Sequence, residues 1–317
     1  MLNLQNFLDT CAKNLLPYMK PHWEVDHACY RTDSLEHNEQ TKRDFARSSV
    51  LLIESQVGGR PIASYQLKTP KFARGHATDI IEIPAPKPGR KPDSGYEHIE
   101  VVIDEPFDQL QARFPSLKWE TKALAKDLNP ELETSFESFN VKFHHHSLAH
   151  IINIEKHEKT NSFLQHSQIL SKLSHFSPLI SGTIPLGIDT PDSNLDILFQ
   201  ATDFDHFKAE VLKLFSDASF SQDQQHILAK TSFQGLEIEI YASALSPLQQ
   251  NAHRHLRIEG RLLKLLGTPF RDKIMALKAQ GIKTEPAFGQ VLELEKPYQD
   301  LLDLYFCTDL ELLQRFS

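Results

Sequence analysis

Between residues 24 and 144 the chain passes twice through one order of segments, and this recurrence limits the possible folds more than any single motif does. EVDHACYRT, at 24 to 32, has the β-favouring content of a strand, and residues 34 to 48 are polar with helical character. SVLLIES and PIASYQLK then flank the turn signal Gly58-Gly59 as a hairpin. ATDIIEIPA adds a further strand, and Pro and Gly hold APKPGRKPDSG in a loop. The order restarts with YEHIEVVID as strand, EPFDQLQARF as helix and ESFNVKFHHH as a closing strand or hairpin. A helix over about residues 2 to 19 precedes this pattern, and SLAHIINIEK, with Ser147 as its cap, follows it as a short helix. Strand, helix and strand meander, twice over, give an α+β domain compatible with two similar βαβββ modules.

A chain of 317 residues is too long for one ordinary core and suits two domains of ~150 residues each. The charged stretch EKHEKTNS, residues 155 to 162, separates two patterned regions, which places a first domain at 1–157 and a second at 158–317. The second region opens with a helix near 162 to 174, and PLISGTIPLGID follows as a strand running into a Gly-containing turn. NLDILFQ reads as a strand, FDHFKAEVLKLF as a helix, and QHILAKTSF and LEIEIYAS as strands paired across Gly235. From Ser246 the pattern is helical, with breaks at Gly267, Gly281 and Pro297, so a small mixed sheet followed by a helical tail is expected.

The net charge is -8, with acids and bases interspersed, and no basic stripe of the kind general nucleic-acid binding requires is present. Cys11, Cys29 and Cys307 are odd in number and far apart, which argues against a disulfide framework and for a reducing, cytoplasmic setting. The opening MLNLQNFLDTCAKNLLPYM is broken by Asn, Asp and Lys and reads as an amphipathic helix, not a signal peptide. No window approaches the ~20 apolar residues needed to span a bilayer, so a soluble protein is expected. Nothing in the sequence sets an oligomeric state.

Side chains alternate faces along a strand, which lets neighbours be assigned without coordinates. In YEHIEVVI, Ile99, Val101 and Ile103 share an apolar face, and Tyr96, His98 and Glu100 share the other. In ESFNVKFHHH the polar side carries Asn140, Lys142 and His144; in EVDHACYR, His27, Cys29 and Arg31 share a side; in TDIIEIP, Glu82 lies opposite Ile81 and Ile83. His27, Glu82, His98 and His144 thus offer metal-competent groups from different strands on one prospective polar face. A lone strand histidine is more often a hydrogen-bonded rim residue, but four such groups in a recurring pattern favour a site. Imidazoles with a carboxylate suit Zn, Fe, Ni or Mn. Glu100, beside His98, is a candidate catalytic base, and Arg31, Tyr65 and Lys142 are candidates to orient an anionic small-molecule substrate. Cys29 is expected to pack and not to ligate.

VDHACYR, GGRPIASYQL, DIIEIPAPKPG, GYEHIEVV and VKFHHHSL together resemble the YecM family of the vicinal oxygen chelate superfamily, which includes glyoxalase, bleomycin-resistance and extradiol dioxygenase proteins. The resemblance covers about residues 1 to 157. It implies two βαβββ modules around a cavity, with a metal on His27 and Glu82 of the first module and His98 of the second. His144 falls on the last ligand strand, where Glu is commoner in the superfamily. The implied chemistry is chelation of a substrate through adjacent oxygens, as in lyases, isomerases or dioxygenases, with the metal as Lewis acid. The superfamily supplies a mechanism type and no substrate.

In the second half, Gly182-Thr183 followed by Asn194 and Asp196, with Glu237 and Glu239 on a later strand, resembles the signature of nucleotidyltransferase-like proteins. QQNAHRHLRIEGRLL and KTEPAF further resemble an uncharacterised bacterial domain attached to that superfamily, and the likeness spans about 164 to 305. It implies Mg and a nucleotide partner. Asn194 stands where the pattern has Asp, and a neutral amide is a poorer Mg ligand. Asp189 and Asp192 lie nearby, and Arg254, His255 and Arg261 could meet phosphates or form an ordinary helix face. Three functions follow as expectations: a metal-dependent enzyme of the vicinal oxygen chelate type, a nucleotidyltransferase-like activity of the second domain, or a non-catalytic binder of small ligands.

Overall fold

The computed structural model describes residues 3–15, 17–89 and 92–317; the expected helix start at Leu2, its Leu16, and Arg90 and Lys91 of the Pro- and Gly-rich loop lie outside the described residues. The chain is a mixed α+β protein of two compact units. One runs to Leu148 and takes in Cys307–Arg315 as well, and the other spans Ala149–Phe306.

In chain order the first unit contains α1 (Leu4–Leu15), β1 (Glu24–Arg31), α2 (Leu35–Ala46), β2 (Ser49–Val57), β3 (Arg60–Ala73), β4 (His76–Pro84), β5 (Gly95–Val102), α3 (Phe107–Arg113), β6 (Trp119–Glu120), β7 (Leu132–Ser135) and β8 (Asn140–His144). Ser34 caps α2 by accepting from the His37 backbone N–H at 3.1 Å. Gly58 and Gly59, at φ 58° and 79°, turn β2 into β3, because a tight hairpin needs positive φ at both central positions. The eight strands form one sheet in the order β2-β3-β4-β1-β5-β8-β7-β6. β1 runs parallel to β4, β5 runs parallel to β8, and β1 and β5 meet antiparallel in the middle.

One face of this sheet is apolar. Val25, Ala28, Tyr30, Ile81, Ile99, Val101, Val141 and Phe143 join Leu4, Leu8, Leu15 and Phe45 of α1 and α2 in one core. Tyr96 belongs to this side, with its ring 5.1 Å from that of Tyr30, and not with His98 as simple alternation suggests. The cause is a β-bulge at Glu97, which resets the alternation. Of the helix expected to reach residue 19, the described part is Leu4–Leu15, with Pro17 and Tyr18 in a turn, and the short strands β6 and β7 have no counterpart in the sequence pattern.

The second unit continues with α4 (Leu148–Lys156), α5 (Glu158–Ser167), α6 (Ile169–Lys172), β9 (Leu179–Ser181), α7 (Thr183–Leu186), β10 (Leu195–Gln200), α8 (Phe204–Leu214), β11 (Ser219–Gln222), β12 (His226–Phe233), β13 (Leu236–Ser243), α9 (Asn251–Lys278), α10 (Thr284–Leu292) and α11 (Pro297–Leu304). Its five strands pair in the order β11-β12-β13-β10-β9, with β10 parallel to β13 and the other pairs antiparallel. The expected mixed sheet and helical tail are both present. Gln168, left-handed at φ 53°, splits the helix expected over 162 to 174, and Gly267 at φ 70° interrupts α9 from within. A last helix, α12 (Asp309–Phe316), belongs to the first unit: Asp309 Oδ2 accepts from the Ala77 backbone N–H at 2.8 Å.

Candidate metal centre

β1 is a central strand of the eight-stranded sheet, so the face opposite its apolar side chains receives groups from both neighbours. His27 stands level with Glu100 of β5, and Cys29 stands level with both Glu82 of β4 and His98 of β5. Ligand atoms of His27, Glu82, His98 and Glu100 all lie within 4.8 Å of one another. His27 Nε2 is 3.6 Å from Glu82 Oε2 and 3.4 Å from Glu100 Oε1, and His98 Nε2 is 3.4 Å from that same Glu100 oxygen. His144 Nε2 approaches the other oxygen, Glu100 Oε2, at 3.2 Å. The Nε2 atoms of His27, His98 and His144 are buried and complete no hydrogen bond.

Two bulges prepare the first two imidazoles. The β1–β5 register slips between Val25 and His27, leaving Asp26 as the extra residue, and again between Cys29 and Tyr30, leaving Glu97 as the extra residue. Each extra residue is a carboxylate that engages the Nδ1 of the histidine following it, Asp26 to His27 at 2.9 Å and Glu97 to His98 at 3.0 Å. Asp26 is itself held by the Leu148 backbone N–H at 2.8 Å, and Glu97 by Arg31. A carboxylate on Nδ1 fixes the ring and holds a proton there, so that Nε2 points at the site and is the nitrogen that can give up its proton to bind a cation. For His144 the Nδ1 partner is the His146 carbonyl.

Glu100 is the electrostatic hub. Burial opposes its charge, but His27, Lys142 and the adjacent His144 ring hold its carboxyl well below the usual range. Burial likewise opposes protonation of His27, yet the Glu100 charge and the bonds to Asp26, Glu100 and Glu82 raise its pKa well above the ordinary value. For His98 burial is again outweighed, by Cys29, Glu100 and Glu97, and the shift is upward. Without a cation at its centre, the cluster balances its carboxylates with protons on imidazoles.

The remaining sequence candidates divide. His144 lies level with Val102, past Glu100 and His98, and falls in a second group with Asp26 and His27 instead of the group around Glu82. Lys142 stands level with Glu100, with Nζ 2.9 Å from its Oε1 and 3.8 Å from Glu131 Oε1. Arg31 borders the site through Glu97. Tyr65 is not brought to it: level with Ile81, it faces the apolar side, its ring 6.2 Å from that of Phe45. Asp26 and Glu97 escape a reading by alternation, which assigns each to the face opposite its histidine. The signal that could have found them is an acid directly before histidine in both DHACYR and EHIEVV.

In the second unit, Asp196 stands level with Glu239 across the parallel β10–β13 pair. Gly182 presses against it; a Cβ there would lie 2.1 Å from Asp196 Oδ2. Asn194 donates from Nδ2 to Asp196 Oδ1 at 2.8 Å, Lys230 pairs with Glu237 and Glu239, and Thr183 donates to Ser193 Oγ at 3.3 Å. Burial first, and Glu239 second, push the Asp196 carboxyl up to about 7. Among the described residues, clusters of three or more metal-competent groups occur only in the first unit. Arg261, expected as a possible phosphate contact, is wholly buried and donates to the Tyr305 carbonyl at 3.0 Å, and His255 is tied to the Tyr298 carbonyl at 3.0 Å.

Residues 3–135 match the model of the family described as YecM protein, and residues 162–304 match DUF4269, a domain of unknown function. Protein YecM of Escherichia coli (strain K12) is 28% identical over 147 residues, covering 42% of this chain and 78% of YecM. A solved structure named Structural Genomics, Protein EC4020 is 26% identical and covers 48% of this chain and 89% of its own, with a TM-score of 0.40. The Cid1 poly(U) polymerase with MgGTP bound is 13% identical over 43% of this chain and 48% of its own, with a TM-score of 0.32. The N-terminal part is therefore similar to YecM and the C-terminal part to DUF4269. No helix among the described residues is long and apolar enough to cross a membrane.

Proposed function

We propose that the first unit is a divalent-metal centre of the vicinal oxygen chelate type, in which His27, Glu82, His98 and Glu100 hold zinc, iron, nickel or manganese and His144 lies alongside. The observation that carries this reading is the convergence of three buried, unbonded Nε2 atoms on the single carboxylate of Glu100. Buried nitrogens that complete no hydrogen bond are costly, and a cation that took the place of their protons would bind all three lone pairs and the carboxylates facing them at once. The strand order supports two βαβββ modules: β2-β3-β4-β1 and β6-β7-β8-β5 each end on the strand that opens the module, and the two opening strands pair in the centre.

When bound, the ion supplies Lewis acidity toward a small anion with adjacent oxygens. Lys142 sits close enough to Glu100 to orient such an anion, and its release from Glu100 leaves Glu131 as an alternative partner. Cys11, Cys29 and Cys307 form no disulfide among the described residues, which fits a reducing setting, and we place the protein in the cytoplasm. Elemental analysis of untagged full-length protein is expected to find a transition metal bound to the chain. Metal at a hundred times its Kd is expected to stabilise the stripped protein by about 2.7 kcal/mol. A stripped protein that takes up none of the four ions and melts unchanged in their presence would overturn the reading.

A second reading concerns the other unit, where the Gly182 approach to Asp196 and the level pair Asp196–Glu239 favour a nucleotide and Mg. Asn194 and Lys230 occupy positions that a fully catalytic site would give to a carboxylate and to an ion, so binding without transfer is the form this takes. Mg-ATP or Mg-CTP is expected to raise the melting temperature of the wild type and not of Asp196→Ala, and an equal response in both counts against it.

A further inference from the structure

Cys29 holds the one β1 position that is level with a candidate ligand on each side, Glu82 of β4 and His98 of β5. Side chains directly opposite in paired strands sit within ~5 Å of one another at Cβ, so the thiol rises between a carboxylate and an imidazole on the polar face. The sulfur and ligand atoms of Glu97 and His98 lie within 4.8 Å of one another, and His98 is shared with the cluster of His27, Glu82 and Glu100. Cys29 is 2% exposed, free of any disulfide, and close enough to hydrogen-bond the His98 ring. His98 Nε2, itself buried, completes no hydrogen bond.

We propose that Cys29 is a sulfur ligand of the same centre, placed between Glu82 and His98, and that it sets the metal preference. This rests on the reading of the first unit as a metal centre and specifies which ions it takes. A site of imidazole and carboxylate already prefers zinc to manganese by the general affinity order, and a thiolate adds a soft donor that widens the preference for zinc, iron, cobalt or nickel over manganese, magnesium or calcium. Burial beneath the sheet face suits a ligand more than a redox-exposed thiol.

The test uses the full-length protein stripped of metal and titrated with cobalt(II). Wild type is expected to show the visible d–d bands of bound cobalt together with a near-ultraviolet sulfur-to-cobalt charge-transfer band. Cys29→Ser is expected to keep the d–d bands and lose the charge-transfer band, while Cys11→Ala and Cys307→Ser keep both. The zinc-over-manganese affinity ratio is expected to fall about tenfold in Cys29→Ser. Cobalt uptake by wild type without the charge-transfer band overturns the sulfur ligand and leaves the metal centre standing. Absence of any cobalt uptake overturns both. A charge-transfer band that persists in Cys29→Ser overturns the assignment to Cys29 even if that variant folds imperfectly.

Discussion

Glu100 and Asp196 are both carboxylates taken out of water, one in each unit, and they are held in opposite states. Around Glu100 the strands deliver His27, His98, His144 and Lys142, and the group stays charged. Around Asp196 they deliver Glu239 and the amide of Asn194, and burial pushes its pKa to about 7. The difference lies in the second rank of groups. Each of His27 and His98 has an acid behind it that fixes its tautomer, whereas Asp196 has a like charge beside it. The first arrangement suits the proposed exchange of protons for a cation. The second carries a charge only at a cost, unless a cation arrives from outside.

The sharpest break of this contrast would come at His98. His98→Ala is expected to weaken transition-metal binding by about a hundredfold or more, read by calorimetry on full-length protein. Wild-type affinity in that variant would reduce the first unit to a buried salt network no closer to metal chemistry than the second. Next in size are the acids at the bulges: Asp26→Asn and Glu97→Gln are expected to cost about ten- to a hundredfold in metal affinity with the fold retained. Identical affinity in both would mean that the tautomers are set by something other than these carboxylates.

The pH dependence sharpens the contrast further. The folded pKa values of His27 and His98 are raised above their unfolded values, so protonation stabilises the metal-free unit below about pH 6.5, and that contribution is lost as pH rises through the raised folded values. Metal must displace those protons, and its affinity is expected to climb by about tenfold per pH unit for each proton released, continuing above pH 6.5. An affinity that is flat over this range counts against protonated imidazoles in the metal-free state. The smallest effect belongs to Asp196. Its folded pKa of about 7 exceeds the ordinary 3.8, so wild type loses stability as pH rises between those values. Asp196→Asn is expected to be more stable than wild type at about pH 8, by roughly 1–3 kcal/mol of unfolding free energy, with the advantage gone near about pH 4. No pH dependence in that difference would mean that Asp196 is solvated like a surface acid.

How much of this was legible in the sequence follows from how strands are read. Period-two alternation placed His27, Glu82 and His98 on polar faces, and the sheet order puts those faces together. Alternation holds only within an unbroken register, however, and both bulges of the central pair fall beside the histidines. Tyr96 is therefore read on the wrong side, and Asp26 and Glu97, the extra residues of the two bulges, are not singled out at all. His144 was visible as polar-facing, but only the parallel β5–β8 register shows that Asn140, not His144, is level with His98. Tyr65 gave no hint of its orientation, since its strand PIASYQLK alternates too weakly to fix a face. In α9 the buried positions include His255, Arg257, Glu259 and Arg261 beside Leu and Ile, so a polar stripe in the sequence did not mark a solvent-facing one.

The antiparallel meeting of β1 and β5 has a mechanical consequence. His27 arrives from the strand that opens the first run of the sheet and His98 from the strand that opens the second, so neither run alone owns the ion. An ion seated there, as proposed, would act as a rivet through the seam of this sheet, and its removal would loosen the first unit along the β1–β5 pair more than at its outer strands.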